Sequence, residues 1–213
     1  MKTLLITILT MLSVLPHGAS AGVDGERSLM FSVHLDGSRI GYHRFELVPD
    51  AEGIDVVSEA RFDVRVLFFD AFTYRHRNRE SWDGQCLETI ESETTENDRE
   101  FAVVGRRIDD RFVLESGGAS ESLDSCVMTF AYWNPAFLDQ SRLLNPQSGE
   151  YVPVDVEALG ERRIVARGET VTAAAYRVTA KDRELTVFYS DDGKWLGLES
   201  VARGGRTIRY ELT

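Results

Sequence analysis

The residues best suited to form a binding site lie in one aromatic and polar block near the middle of the chain. Tyr132 and Trp133 end a mainly apolar run and are followed at once by Asn134, with Arg142 and Asn145 a little further on. An apolar wall with a few polar groups is typical of a small-molecule site. The block therefore predicts a ligand-binding wall or lid. The alternative is a structural plug in which Asn134 only caps a helix.

The remaining reactive residue types point to no recognisable catalytic chemistry. His34, His43 and His76 have no metal-ligating neighbour at a useful spacing. The sequence contains no nucleophile elbow, no zinc-protease motif and no phosphate- or dinucleotide-binding glycine loop. We therefore expect no metal, no cofactor and no enzymatic activity. A hydrolase with an unrecognised site is the less favoured alternative.

An arginine-rich segment offers a second candidate surface. Arg75, Arg77 and Arg79 alternate along the chain, so on a strand they share one face. Across the next predicted hairpin we expect Glu91 opposite Arg77 and Glu93 opposite Arg75. This arrangement favours a solvated ladder of cross-strand ion pairs. The alternative is an anion-binding strip.

The first residues of the chain predict export. Residues 1–21 combine Lys2, a short apolar run and the small-residue cleavage site Ala19-Ser20-Ala21. The run is too short for a membrane span, which needs roughly 20 apolar residues. We expect a periplasmic protein that begins at Gly22, with no stable membrane insertion after the signal peptide is removed.

Cysteine content and charge agree with that compartment. Cys86 and Cys126 are the two cysteines of the chain, and in an oxidising compartment such a pair is most simply a disulfide. The formal net charge of −11 argues against a nucleic-acid partner, because phosphate contacts need a basic face.

The elements that must position these residues are almost all strands. Apolar and polar residues alternate with period two from Phe31 onward, and turn signals recur about every ten residues. We predict a single all-β domain over 22–213, an antiparallel meander of roughly ten to twelve strands. It forms a curved sheet, half-barrel or up-and-down barrel, with one short helix near 134–144. The predicted first hairpin pairs Val33 with His43 and Phe31 with Phe45. A two-sheet sandwich is the alternative architecture.

Four segments carry a resemblance to a known family: 40–45 (IGYHRF), 58–62 (SEARF), 126–135 (CVMTFAYWNP) and 143–151 (LLNPQSGEY). Together they resemble an uncharacterised family of exported Gram-negative β proteins, described only as a domain of unknown function. The resemblance extends over essentially the whole chain after the signal peptide and implies no activity. The ending 187–199 is also similar to the last hairpin of periplasmic half-barrel carriers of lipoproteins.

Two hypotheses for function follow from these features. The first is a non-enzymatic domain that binds an apolar or amphipathic, lipid-like ligand or an envelope protein. The second is a structural or interaction protein whose barrel core is filled. The interior of the barrel distinguishes the two hypotheses. A carrier needs a cavity of roughly a few hundred Å³, as ligand sites have, whereas a filled core has none.

Overall fold

The fold is a single long antiparallel sheet, seen in a computed structural model that describes residues 27–51, 53–66, 69–181 and 183–213. The predicted signal peptide 1–21 and its cleavage before Gly22 lie outside the described residues. The strands are β1 (Arg27–Leu35), β2 (Ser38–Pro49), β3 (Ile54–Val66), β4 (Phe69–Asp83), β5 (Cys86–Glu96), β6 (Arg99–Ile108), β7 (Arg111–Ser116), β8 (Ala119–Asp124), β9 (Arg142–Leu144), β10 (Tyr151–Ala166), β11 (Glu169–Ala180), β12 (Arg183–Tyr189), β13 (Trp195–Val201) and β14 (Thr207–Leu212).

Two meanders are joined through the ends of the chain. The strand order is β8-β7-β6-β5-β4-β3-β2-β1-β14-β13-β12-β11-β10-β9, so β1 pairs with β14 while β8 and β9 form the two edges. The curved all-β sheet predicted from the alternation is confirmed. In the described part of the chain it has 14 strands, more than the ten to twelve expected, and it does not close.

The core lies on the concave face, where inward side chains from both meanders meet. Phe31, Phe45 and Trp195 form its aromatic centre, with ring centroids 4.1 Å apart for Phe31 and Trp195 and 5.3 Å apart for Phe45 and Trp195. Phe31 and Trp195 are fully or almost fully buried. Period-two alternation produces this face, because successive side chains of a strand point to opposite sides.

The registers differ by two residues from those predicted. Phe31 faces His43 and Val33 faces Gly41, because the first turn contains only Asp36 and Gly37 and a bulge follows at Val33/His34. Both turn residues have positive φ (49° and 82°), as a tight hairpin turn requires. A shift of two keeps every side chain on its predicted face.

The arginine ladder is present in a similarly shifted register. Arg79 faces Glu91 and Arg77 faces Glu93, because a bulge at Ser81/Trp82 moves the pairing. The Arg79 guanidinium lies 3.8 Å from the Glu91 carboxylate across the strands. Arg75 instead pairs with Asp63 of β3 at 2.8 Å. The side chains of these pairs are exposed or half-buried, so each pair contributes only about 0.2–1 kcal/mol.

The helix predicted near 134–144 is one short 3₁₀ turn, Pro135–Asp139. Asn134 caps it, since its side-chain oxygen accepts a hydrogen bond from the Ala136 backbone N–H at 3.1 Å. The chain then becomes extended at Gln140. Leu143 and Leu144, both fully buried, belong to strand β9 because they pair with β10 instead of continuing a helix.

The long β10–β11 hairpin bends where the register shifts between Ala158 and Gly160. Gly160 has a φ of 75°, a conformation that favours glycine. Beyond the bend, an apolar cluster joins the hairpin to the convex face of β12 and β13: Leu159, Ile164, Ala173, Ala175, Phe188 and Leu196.

The predicted disulfide is formed. Cys86 and Cys126 have Cα atoms 4.6 Å apart and are bonded through their sulfur atoms. The bond ties the start of β5 to the segment that follows β8. Beside it the Leu87 N–H donates to the Val127 carbonyl at 2.9 Å. In the described residues, no helix combines the length and apolar character that a membrane crossing demands.

Candidate ligand cavity

The concave face contains a cavity of about 410 Å³ beside the aromatic centre. One wall comes from β2, β3 and β4, and the opposite wall from β10, β11 and β12. The segments 129–133 and 145–147, with Glu150, Lys181 and Tyr210, complete the lining. A cavity of this volume is in the range of natural small-molecule sites, which are roughly 300–1,000 Å³.

The wall from β2 to β4 is polar, although its positions are those of an inward face. His43, Ala60, His76 and Thr94 stand in one cross-strand row over β2–β5. The neighbouring row contains Phe45, Ser58, Asn78 and Ser92. Polar side chains are unusual at such buried positions, so this wall requires hydrogen-bonding partners.

Part of that requirement is met by Glu80. Glu80 is 5 % exposed, and its carboxyl accepts hydrogen bonds from the Asn78 side-chain amide at 2.9 Å and from the Trp82 indole N–H at 3.1 Å. Burial raises the pKa of Glu80, and these hydrogen bonds oppose the rise. Both oxygens therefore have partners within the chain, and Glu80 fixes the positions of Asn78 and Trp82.

The two histidines of the wall differ in their partners. The Nδ1 of His76 lies 2.8 Å from the Thr94 hydroxyl. The ring of His43 stacks on Phe45 at 4.2 Å between centroids, while both of its nitrogens are buried without a hydrogen-bond partner. Burial lowers the pKa of His43 well below its ordinary value and that of His76 to about 4, so both rings are neutral at neutral pH.

These buried imidazoles predict a loss of stability in acid. The unfolded chain binds protons near pH 6.5 and native His76 only near about 4, so the free energy of unfolding falls as the pH drops through that interval. Glu80, with its raised pKa, acts in the opposite direction. Urea unfolding of the wild-type protein and of His76→Gln across this range isolates the histidine. We expect the variant to lose less stability, and equal losses would contradict the assignment.

The exposed side of the cavity carries charge. Lys181 of the β11–β12 turn forms an ion pair with Glu150 at 2.5 Å, and Arg183 lines the cavity beside them. The hydrogen bond from Lys181 holds the pKa of Glu150 below its usual range. Deeper in, the Tyr74 hydroxyl approaches Gln147 Oε1 at 3.4 Å. The cavity thus has a charged entrance, a polar inner wall and an apolar opposite wall.

Three of the five predicted site residues line this cavity: Tyr132, Trp133 and Asn145. Asn134 and Arg142 do not. Asn134 caps the 3₁₀ turn, and Arg142 lies over the Tyr151 ring at 4.7 Å and donates to the Tyr151 carbonyl at 2.6 Å. Sequence reasoning missed the polar wall. Its signal is the run of polar residues at alternate, inward positions of β4: His76, Asn78 and Glu80.

A family model described as a domain of unknown function, DUF6134, matches residues 31–213. The chain belongs to this family. Among solved structures, this DUF6134 domain is similar to a beta-barrel-like protein of the domain of unknown function DUF1849 from Brucella abortus, with a TM-score of 0.63 and 10% identity. The match covers 87% of this chain and 94% of that chain, so the likeness shows the fold. No curated protein sequence matches the chain.

Proposed function

We propose that this domain is a non-enzymatic binding protein of the periplasm that holds an apolar or amphipathic molecule in its concave cavity. The cavity is the observation that supports this proposal, because a sheet that serves only as a scaffold gains stability by filling such a space. About 410 Å³ remains in the same concave face in which Phe31, Leu47 and Val187 are fully buried.

The lining supports an amphipathic ligand over a purely apolar one. Val152, Val178 and Leu185 supply an apolar wall, while Ser58, His76 and Asn78 face it from the other side. Ligand sites commonly combine an apolar lining with a few placed polar groups. A protein that only docks to an envelope partner through its outer surface has no use for this interior.

The disulfide supports the proposed compartment. Cys86 and Cys126 are joined in the fold, and such bonds persist in oxidising compartments such as the periplasm. The N-terminal segment, with Lys2 and Ala19-Ser20-Ala21, has the pattern of a signal peptide that directs export.

Filling the cavity tests the proposal. Ala180 lines the cavity and is only partly buried, so Ala180→Trp places an indole in the ligand space with little strain. Thr179→Trp is the matched control, because the adjacent residue of a strand points to the opposite face. We expect Nile red, a neutral apolar dye, to bind wild type and Thr179→Trp equally and to bind Ala180→Trp about tenfold more weakly, a loss of roughly 1.4 kcal/mol.

Two results in this titration contradict the proposal. One is equal dye binding by Ala180→Trp and wild type, which places the dye elsewhere on the surface. The other is the absence of dye binding by wild type, which supports a structural role for the domain.

A further inference from the structure

The polar wall of the cavity contains hydrogen-bonding atoms that the chain itself leaves without partners. Both ring nitrogens of His43 and the side-chain oxygen of Asn78 are buried and make no hydrogen bond. Both residues line the cavity, and Asn78 is 6 % exposed. A buried polar atom without a partner destabilises a fold, so atoms of this kind mark a place where a ligand completes the hydrogen bonds.

These two side chains lie on the same wall of the cavity. His43 is on β2 and Asn78 on β4, with β3 between them. At the usual strand spacing of about 4.8 Å, their backbones are on the order of 10 Å apart, and both side chains face the same cavity. The residue of β3 in the row of His43 is Ala60, whose small side chain leaves room beside the imidazole.

The chemistry of the wall selects against a charged group. A neutral imidazole offers one N–H donor and one acceptor nitrogen, and Asn78 Oδ1 offers an acceptor. The carboxyl oxygens of Glu80 already accept hydrogen bonds from Asn78 and Trp82, so no counter-ion faces a cation here. Besides Glu80, the carboxylate, Lys and Arg side chains among the described lining residues are those of Glu150, Lys181 and Arg183. All three are exposed at the entrance.

We propose that His43 and Asn78 form a subsite for the uncharged, hydroxyl-bearing head group of an acyl lipid. A hydroxyl donates to Asn78 Oδ1 or to the acceptor nitrogen of His43 and accepts from the imidazole N–H. The acyl chain lies against the apolar wall of Val152, Val178 and Leu185. This subsite rests on the proposed ligand-binding function and adds the chemical class of the ligand.

The test uses three probes of equal chain length: monodecanoylglycerol, which carries two free hydroxyls, methyl decanoate, which has no donor, and decanoate, which is charged. The affinity of each probe is measured at neutral pH from its displacement of Nile red bound to the full exported protein. We expect wild type to bind monodecanoylglycerol about tenfold more tightly than either other probe.

His43→Phe removes the donor and the acceptor but keeps an aromatic ring against Phe45. We expect it to bind monodecanoylglycerol about tenfold more weakly and methyl decanoate as wild type does. We also expect a higher urea midpoint, because an apolar ring replaces two unpartnered buried nitrogens. His34→Phe is the control, since His34 lies on the opposite face of the sheet and should change neither binding nor preference.

The outcomes separate this subsite from the proposed function. Equal binding of monodecanoylglycerol and methyl decanoate by wild type overturns the subsite and leaves the ligand cavity in place. Unchanged preference in a folded His43→Phe also overturns it. If wild type binds neither Nile red nor any of the three probes, both proposals are overturned.

Discussion

Trp195→Ala is expected to lower the free energy of unfolding by about 3–5 kcal/mol. Trp195 is 2 % exposed, its ring centroid lies 4.1 Å from that of Phe31 and 5.3 Å from that of Tyr132, and its indole N–H donates to the Gly197 carbonyl at 2.8 Å. Truncation therefore removes a large apolar surface, several ring contacts and one buried hydrogen bond. Urea unfolding with the disulfide intact measures the loss.

Trp133→Ala provides the matched comparison. Trp133 packs edge to face on Trp82 at 5.6 Å, but it is only partly buried and lines the cavity. We expect its truncation to cost less stability than that of Trp195 and to weaken Nile red binding. Equal stability losses, with dye binding unchanged in Trp133→Ala, would make Trp133 a core plug and remove it from the candidate site.

Removing the disulfide with the double variant Cys86→Ser/Cys126→Ser is expected to cost about 4 kcal/mol, the chain-entropy value for a loop of this length. The bond closes a sequence separation of 40 residues, which contains β5, β6, β7 and β8. Without the bond, the conformational entropy of the unfolded chain rises while that of the folded sheet stays the same, so the free energy of unfolding falls. Urea unfolding of the double variant beside the oxidised wild type measures the difference.

Chemically reduced wild type is the control for this pair. It carries the same two thiols without a change of sequence, so it should unfold at nearly the same urea concentration as the double variant. A double variant as stable as oxidised wild type would contradict the stabilising role of the bond.

Strand positions could be predicted from the sequence because period-two alternation is a local pattern. The faces of Phe31, Val33 and His43 follow from parity alone. Their partners do not, since bulges such as Val33/His34 and Ser81/Trp82 add one residue to a strand and shift the pairing. Local signals overstated the helix, because Leu144 has the spacing of a helix face from Phe137 but pairs with Tyr151 of β10 as part of a strand.

The candidate cavity could be predicted only in part. The aromatic block identified Tyr132, Trp133 and Asn145, which line it, because an apolar wall with a few polar groups is typical of a small-molecule site. His43, Asn78 and Glu80 come from different strands, and only the register of the folded sheet places them on one wall. Asn134 and Arg142 use their polar groups locally, in a cap and in a contact with Tyr151.

Native mass spectrometry of the protein purified after export tests the central claim most directly. A domain that holds an amphiphile in its cavity should retain a small molecule, seen as added mass on wild type that disappears on mild activation and is reduced in Ala180→Trp but not in Thr179→Trp. Two results would contradict the claim that the concave cavity is a ligand site. One is a wild-type protein detected only at the mass of the bare chain, and the other is an added mass that Ala180→Trp retains in full.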